Sequence, residues 1–398
     1  MSQILTNIEG ILKDKYQPAL ANLINTEPSP FLEMIRKEPL TNNKVRVAAP
    51  IGINGGFGFG EEGVGTPSAA EQRYVNYEIK AVDMYVDIAI SNKTMVLGST
   101  DQGAMINALD AEVKGSYAAA KWNLSRALFG NGSGLLCMLD AANPEGTAFR
   151  ASNPNNLIEG LVVDIHQLDE SGNEFLPFLE KVRINKVDYN TGIVTFDREF
   201  VSQRPLQMYV QGSYNRELCG LGAIFSDVSE MPTLYGLDRT ENSWLNPEKV
   251  SLAQSGVTDL ALYRGVRNAK KRRGAKIDLI MMGDNAFDAY QTYMDEHTTH
   301  LVNRHKFEGG ATGYSILVGD QEIIIINESM VPTNEAWAVD TSSFILQQTP
   351  WEFVSNGGSI FTLQANSSIW RALLASYGNL ICTNPGGCVR FTDCGANA

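Results

Sequence analysis

The amino-acid sequence predicts an α+β protein with a long two-stranded flap, and three observations predict it. Six of the eleven residues from Gly55 to Gly65 are glycine, and apolar residues alternate on both sides of this stretch. One uninterrupted helix pattern then covers residues 104–129, and short strand patterns fill the last third of the chain. Because neither a flap nor a long helix forms a pocket, these features favour a protein that contacts copies of itself over an enzyme.

The composition allows a large core and no membrane segment. The chain has 398 residues, of which 43% are hydrophobic and 19% are charged. This length suits roughly two to three domains. No apolar run approaches the ~18 residues of a transmembrane helix. The N-terminal sequence lacks the basic region and the apolar stretch of a signal peptide. We therefore expect no membrane partner.

Charge and cysteine content narrow the partners. The formal net charge is −13, so the chain as a whole does not favour nucleic acid, although inward-facing basic residues could still enclose it. Five cysteines and no secretion signal indicate a reduced compartment. Cys382, Cys388 and Cys394 are spaced more widely than paired zinc ligands. They favour ordinary thiols near a terminal strand over a zinc site.

The first 43 residues have the pattern of an N-terminal arm. Residues 4–24 carry one apolar helical stripe, which Pro18 should break or kink. Ser29 and Pro30 predict the cap and first position of a short helix that continues through Arg36. Since this segment precedes any domain-sized core, we expect it to pack only against other copies of the chain.

The flap strands change phase at one position. Residues 44–49 alternate, and so do residues 74–90, but the buried face of the second run shifts by one residue near Ala81. A β-bulge would cause such a shift. A strand that leaves a projecting flap and enters the body of the protein would cause it too.

The remaining elements follow in order. The 104–129 helix has an apolar stripe made of Met105, Leu109, Val113, Tyr117, Ala120, Leu124 and Leu128. Residues 158–213 contain short apolar runs separated by turns, which predict a small β-rich inserted domain. From Val257 the pattern gives a helix, a strand at 276–282 and a helix at 285–295, followed by strands to the end.

No motif of catalysis or cofactor binding survives inspection. Residues 58–63 match G-x-G-x-x-G, but Pro67 and a strand pattern follow where a dinucleotide site needs a helix. Glu61 and Glu62 would also repel phosphate. No glycine loop is followed by G-K-[ST], and G-x-S-x-G does not occur. We expect no cofactor and no enzymatic activity.

Three histidines keep a metal-dependent hydrolase open as an alternative. His297, His300 and His305 lie within nine residues, and the first two could share a helix face. The H-E-x-x-H motif is absent. The competing interpretation is a polar helix end, where histidine complements the helix dipole.

A basic cluster is the best candidate contact surface outside the flap. Its members are Arg264, Arg267, Lys270, Lys271, Arg272, Arg273 and Lys276. Arg264, Arg267 and Lys271 should lie along one helix face. In so acidic a chain we favour contact with a neighbouring copy over nucleic acid. A solvated helix end that complements the dipole is the third interpretation.

The order of these parts resembles the tailed-phage major capsid proteins of the Hong Kong 97-like fold. The segments LYGLDRTENSWLNP at 234–247 and IWRALLASYGNLICTNPGGCVRF at 369–391 are similar to stretches of such proteins. The resemblance covers nearly the whole chain. It implies the following parts: an arm at 1–43, an extended loop at 44–90, the spine helix of the peripheral domain and the start of the axial domain at 91–157, an insertion domain at 158–213, the axial domain at 214–331, and a strand-rich part at 332–398 that returns through both domains.

The resemblance implies a structural role in an icosahedral phage head around double-stranded DNA. Expected partners are the chain itself in hexamers and pentamers, a portal, a separate scaffolding protein, decoration or cement proteins, and DNA contacted weakly without sequence specificity. The expected location is the virion, assembled in the host cytoplasm. The candidate interface residues are Gly55, Gly56, Phe57, Gly58, Phe59, Gly60, Arg264, Arg267 and Lys271. An encapsulin-like compartment, which shares the fold, is the alternative. Some relatives join a flap lysine to a neighbour's asparagine, but no lysine lies between Lys44 and Lys80 here.

Overall fold

The computed structural model divides the chain into two compact units. It describes residues 9–10, 12–26, 29–51, 56–59, 71–93, 102–170, 174–297, 303–307, 312–318, 321–355, 359–364 and 367–395. The first unit comprises Met1–Ser125 and Ile224–Ala398, and the second is Arg126–Ala223.

Helices and strands are mixed along the chain, as the sequence predicts. Within the described ranges, the α-helices are α1 (Gln17–Thr26), α2 (Pro30–Met34), α3 (Gln102–Phe129), α4 (Leu221–Phe225), α5 (Asp259–Arg273) and α6 (Asp284–His297). The strands are β1 (Arg36–Pro39), β2 (Lys44–Ile51), β3 (Arg73–Lys80), β4 (Val82–Ser91), β5 (Leu135–Glu145), β6 (Ala148–Ala151), β7 (Val162–Leu168), β8 (Phe175–Asp188), β9 (Ile193–Phe196), β10 (Leu206–Val210), β11 (Thr233–Leu234), β12 (Leu237–Asp238), β13 (Glu248–Ser251), β14 (Leu279–Met282), β15 (Asn303–Lys306), β16 (Thr312–Val318), β17 (Gln321–Asn327), β18 (Ala336–Val339), β19 (Phe344–Gln348), β20 (Glu352–Phe353), β21 (Phe361–Leu363), β22 (Ile369–Cys382) and β23 (Val389–Thr392). None of these helices combines the length and the hydropathy needed to cross a membrane.

One sheet of the first unit is organised around β22. In the described residues, β4 pairs antiparallel along one side of β22, and β19, β20 and β21 pair along the other. The predicted apolar stripe of α3 faces inward. Its members with described side chains, all buried or half-buried, are Leu109, Val113, Tyr117, Ala120, Leu124 and Leu128. The stripe is confirmed because an unbroken period holds one face of the helix on the core.

The N-terminal segment also packs on this core. Leu12, Leu20 and Ile24 are buried in the same cluster as Ile88 and Trp351, and β1 pairs in parallel with β19. The expectation that the arm packs only against other copies is therefore wrong for these residues. Its apolar stripe finds a partner on its own chain, where burial contributes about 1.5–3 kcal/mol per large aliphatic side chain.

The proline and helix-cap signals of this segment are confirmed, and only the predicted end of α2 differs. Pro18 lies in the first turn of α1, directly after a short π-helical stretch at Leu12–Tyr16, so the helical run is interrupted where proline predicts it. Ser29 caps α2, and its hydroxyl accepts a hydrogen bond from the Phe31 amide at 3.3 Å. The helix ends at Met34 rather than Arg36, because Arg36 already pairs with Ile345 in the sheet.

A second sheet of the first unit carries α5 and α6. In the described residues its strand order is β13-β23-β18-β14-β17-β16-β15. Both helices bury residues in one apolar cluster on this sheet, among them Leu262, Val266 and Tyr290. Gly265 lets α5 approach closely, since a Cβ there would lie 2.6 Å from the Phe391 ring. Helix, strand and helix follow one another here as the sequence predicts.

The second unit is a closed β-barrel. Its strands, taken from the described residues, follow the order β10-β5-β6-β9-β8-β7, and β7 pairs with β10 to complete the ring. The interior is apolar and includes Val163, Ile165, Val194 and Met208. The described residues within 158–213 lie in this unit and are β-rich. The unit starts earlier than that range, since β5 and β6 belong to the same barrel.

Candidate subunit-contact surfaces

The predicted flap is an antiparallel hairpin. β2 and β3 pair with each other from Lys44 opposite Lys80 to Ile51 opposite Arg73, and in the described residues they form a sheet of their own. Between them the structure describes Gly56–Phe59 and residues 71–72. Gly55 and Gly60, both candidate interface residues, lie outside the described residues.

Two aromatic side chains stand in solvent at the described part of the flap. Phe57 is 82% exposed and Phe59 is 95% exposed. Their ring centroids are 5.4 Å apart in an edge-on arrangement. Gly56 and Gly58 beside them are exposed as well. Burial would contribute about 1.5–3 kcal/mol for each phenylalanine, so this pair is a strong candidate for contact with another molecule.

The base of the hairpin, in contrast, is fixed in the body of the first unit. Tyr77 is 3% exposed and donates its hydroxyl to the Cys382 carbonyl at 2.8 Å. The Tyr235 ring stacks on it at 5.1 Å, and the Tyr235 hydroxyl accepts from the Cys382 amide at 3.1 Å. Burial raises the pKa of Tyr77 well above its ordinary value. The hairpin is thus anchored at one end and exposed towards the other.

The phase change at Ala81 marks the junction between flap and body. β3 ends at Lys80 and pairs with β2, whereas β4 starts at Val82 and pairs with β22. The Ala81 amide donates to the Asn43 carbonyl at 3.2 Å, and Asn379 donates to the Lys80 carbonyl at 2.8 Å. Of the two interpretations left open by the sequence, the strand that leaves a flap and enters the body is correct.

A basic face on α5 forms a second candidate surface. Arg264, Arg267 and Lys271 are exposed beside Leu260, opposite the buried face of the helix. In the described part of the chain, no hydrogen bond or ion pair engages these three cations. Arg272, by comparison, pairs with Glu248 at 3.0 Å. The structure thus brings the three predicted residues to one face, on a different element from the flap phenylalanines.

The sequence analysis missed an acidic face on α6. Asp284, Asp288 and Asp295 are exposed and lie on the side of the helix opposite the buried Ala286 and Tyr290. Their spacing of four and then seven residues is the helical repeat and could have revealed the stripe. The segment was instead interpreted from its histidines.

The histidines do not converge in the described residues. The Nδ1 atom of His297 lies 3.0 Å from the Tyr293 carbonyl, and its ring stacks on Tyr293 at 4.7 Å. His305 lies on β15 against Phe307, and His300 is outside the described residues. Within the ranges described, no group of three or more His, Cys, Asp or Glu residues is arranged to hold a metal ion.

The cysteines are free thiols, in line with the expectation for the terminal strands. Cys382, Cys388 and Cys394 are all buried. A hydrogen bond with Cys382, together with burial, raises the pKa of Cys388 well above its ordinary value. Protonated, buried thiols are poor metal ligands and poor nucleophiles.

Residues 234–247 build the support under the hairpin, which their composition did not suggest. Tyr235 and Trp244 both pack against Tyr77. Arg239 is 1% exposed, donating to Asn246 at 2.8 Å and to the Ile224 carbonyl at 3.1 Å. A lone arginine in a polar segment indicates a solvated turn, so sequence alone gave no signal for this burial.

Comparison with protein-family models gives no match, and comparison with curated protein sequences gives no significant one. Solved structures do match. The cyanophage A-1(L) capsid asymmetric unit covers 95% of this chain and 93% of its own, at 9% identity and a TM-score of 0.51. The capsid of a native GTA particle covers 94% and 90% at 8% identity, with a TM-score of 0.46. The SrpI encapsulin of Synechococcus elongatus PCC 7942 covers 93% and 89% at 8% identity, with a TM-score of 0.45.

The cyanophage likeness extends over nearly the whole of both chains. At this identity it shows the fold and not the chemistry of any surface. The chain has the Hong Kong 97-like fold of tailed-phage capsid proteins.

Proposed function

We propose that this chain is the major capsid protein of a tailed phage and assembles with copies of itself into an icosahedral head around double-stranded DNA. The observation that carries the proposal is the hairpin. It is anchored at Tyr77 and presents Phe57 and Phe59, 82% and 95% exposed, away from any core of its own chain. The fold supports the same role.

In this role the chain is structural rather than catalytic and works in the virion, after assembly in the host cytoplasm. Copies form hexamers and pentamers. A portal, a separate scaffolding protein and decoration or cement proteins are further partners. Packaged DNA makes weak contacts without sequence preference, as the net charge of −13 requires.

The parts of the chain take corresponding roles in the proposal. Residues 44–90 are the extended loop that reaches a neighbouring copy, and residues 91–157 carry the spine helix. Residues 158–213 belong to an insertion domain. Residues 214–331 form the axial domain, and residues 332–398 complete both domains.

Particle formation tests this function. The full chain is expressed with the scaffolding protein of its own source, and the particles are counted by electron microscopy and sedimentation. We expect hollow shells from the wild type and a loss of at least about tenfold in yield for Phe57→Ser with Phe59→Ser, which removes the apolar contact. Val201→Ser is the matched control, because Val201 is 65% exposed and lies in the barrel.

The contents of the particles separate the two shell functions. Nuclease-protected DNA in particles from infected cells supports the phage head, whereas an enclosed enzyme without DNA supports an encapsulin-like compartment. A wild-type chain that stays a stable monomer with its scaffold supplied contradicts both.

A further inference from the structure

α5 and α6 are neighbours that present opposite charges. Both pack on the second sheet of the first unit through one apolar cluster. The Tyr290 hydroxyl of α6 donates to Asp259 of α5 at 3.0 Å. Their outer faces point away from that cluster. The face of α5 carries Arg264, Arg267 and Lys271, and the face of α6 carries Asp284, Asp288 and Asp295.

Helix dipoles do not account for this pattern. A dipole favours carboxylates at the start of a helix and cations at its end. It therefore explains Asp284, in the first turn of α6, but Asp295 lies near the C-terminal end of that helix. Arg264 and Arg267 lie in the middle of α5, where the dipole has little effect.

Nor do the two faces neutralise each other within one chain. Among the described residues, none of the three cations of α5 forms an ion pair or hydrogen bond. Asp284, Asp288 and Asp295 likewise have no ion pair to a cation in the described ranges. Each face by itself would be an ordinary charged surface in solvent. Two faces of opposite charge on adjacent helices, however, need a common explanation.

We propose that copies of this chain meet head to tail, with the basic α5 face of one copy against the acidic α6 face of the next. The inference rests on the proposed function, because it needs copies to assemble. A contact between two different faces is heterologous, so each copy offers one face on either side, and the series forms a ring when the rotation between copies closes. Complementary charge would set the register of neighbours and favour correct encounters.

Charge reversal tests the pairing. One variant, called basic-reversed, carries Arg264→Glu, Arg267→Glu and Lys271→Glu. The other, called acidic-reversed, carries Asp288→Lys and Asp295→Lys; it keeps Asp284, which stabilises the first turn of α6. We expect each variant alone to lose at least about tenfold in assembly at low salt, because every contact then sets like charges together. The loss should shrink in about 1 M salt, where the screening length falls to about 3 Å.

Combining the two sets of substitutions, in one chain or by mixing the two variants, distinguishes loss of the contact from failure to fold. A chain with both sets of substitutions should assemble like the wild type, since each reversed face again meets its opposite. An equal mixture of the two reversed variants should also associate, with the variants alternating around each ring. Recovery of assembly in the mixture shows that both variants fold.

Ring parity gives the sharpest outcome. Alternation satisfies every contact in a ring of six copies but leaves one like-charge contact in a ring of five. The mixture should therefore give six-membered rings, sheets or tubes, and few closed shells, which need five-membered rings at their vertices. The chain with both sets of substitutions should give closed shells.

Three results would overturn the inference while the wild type still assembles. The first is no rescue in either the recombined chain or the mixture. The second is a basic-reversed variant that assembles normally and retains less DNA, which would assign α5 to nucleic acid. The third is normal assembly and normal DNA content in both reversed variants. A wild type that fails to assemble would instead contradict the proposed function itself.

Discussion

Arg126 and Glu217 form an ion pair in the barrel unit, and each side chain is only 8% exposed. Removing two charges from water costs several kcal/mol per ion, so the pair is stable only while both partners are present. A single truncation leaves the other charge buried and uncompensated.

Glu217→Gln should therefore lower the free energy of unfolding by about 3–5 kcal/mol. Replacing both partners, with Arg126→Met and Glu217→Leu, should recover most of that loss. Urea unfolding followed by circular dichroism measures both variants in the full chain. Glu170→Gln is the control, since Glu170 is 88% exposed in its pair with Arg204 and should contribute under about 1 kcal/mol. Equal effects at Glu217 and Glu170 would contradict the argument from burial.

Glu328 gives the fold a dependence on pH. Burial raises the pKa of its carboxyl, and the Ser29 hydroxyl, which donates to it at 2.8 Å, offsets part of that rise. The folded state then binds this proton more tightly than the unfolded state. Stability is lost as pH rises from the ordinary glutamate pKa, about 4.3, through the raised folded value.

Glu328→Gln removes the ionisable group and should make the subunit more stable than the wild type at neutral pH. The advantage should shrink towards about pH 4, where the wild-type carboxyl is protonated in both states. Thermal unfolding of unassembled subunits across this pH range measures the difference. An advantage that grows as pH falls would mean that hydrogen bonding to the ionised form outweighs burial.

At the scale of elements, the hairpin has two parts: a buried base that stabilises the subunit and an exposed tip. Val45, Tyr77 and Ile79 bury its base, whereas Phe57 and Phe59 leave its described tip in solvent. Segments with few buried contacts contribute little to global stability.

Deleting residues 55–65 should leave the subunit folded and abolish particle formation. The melting temperature of the unassembled chain should change by no more than about 1–2 °C, equivalent to about 1 kcal/mol for a chain of this size. Calorimetry and electron microscopy of the same preparation check the two halves of the prediction. If the deletion unfolds the chain, the loop belongs to the interior instead.

Elements whose signal is local and periodic were predictable. The stripe of α3 needed only its own spacing, and the parity change at Ala81 located the junction of flap and body. β5 escaped notice because it contains Asn143 and Pro144, which favour turns. Packing of the arm, burial of Arg239 and the opposite charges of α5 and α6 depend on how separate elements pack together, which the periodicity of a single element does not show.

At the scale of the whole molecule, sequence order identified the fold although the cyanophage protein shares only 9% of its residues. The order of elements and their apolar faces are what such distant chains have in common. A contact surface consists of exposed side chains, and exposure depends on the packing of the whole fold. Only one of the two charged faces was therefore predicted from the sequence. The three basic residues were predicted from one helix pattern, whereas the acidic residues of α6, which have a helical spacing too, were not predicted.

The assembled shell should hold together without covalent links between copies. No lysine lies between Lys44 and Lys80, so the flap tip carries no amine to attack a neighbouring asparagine. Asn384, an asparagine near the C-terminus, donates its side-chain amide to the Arg273 carbonyl at 3.3 Å within its own chain. Mature particles boiled in detergent with reductant should release monomers of 43.6 kDa on a gel. Ladders of larger multimers would contradict this.

The closed barrel has a consequence for how such a chain can diversify. Its first and last strands, β5 and β10, are hydrogen-bonded neighbours, and just outside them the Asn215 amide donates to the Ser133 carbonyl at 2.8 Å. The two ends of the barrel unit therefore lie together, the arrangement that tolerates exchange of a whole module. Residues 135–210 can therefore be replaced as one module. An epitope, an enzyme or a sugar-binding domain inserted in their place would be present once in every copy of the chain.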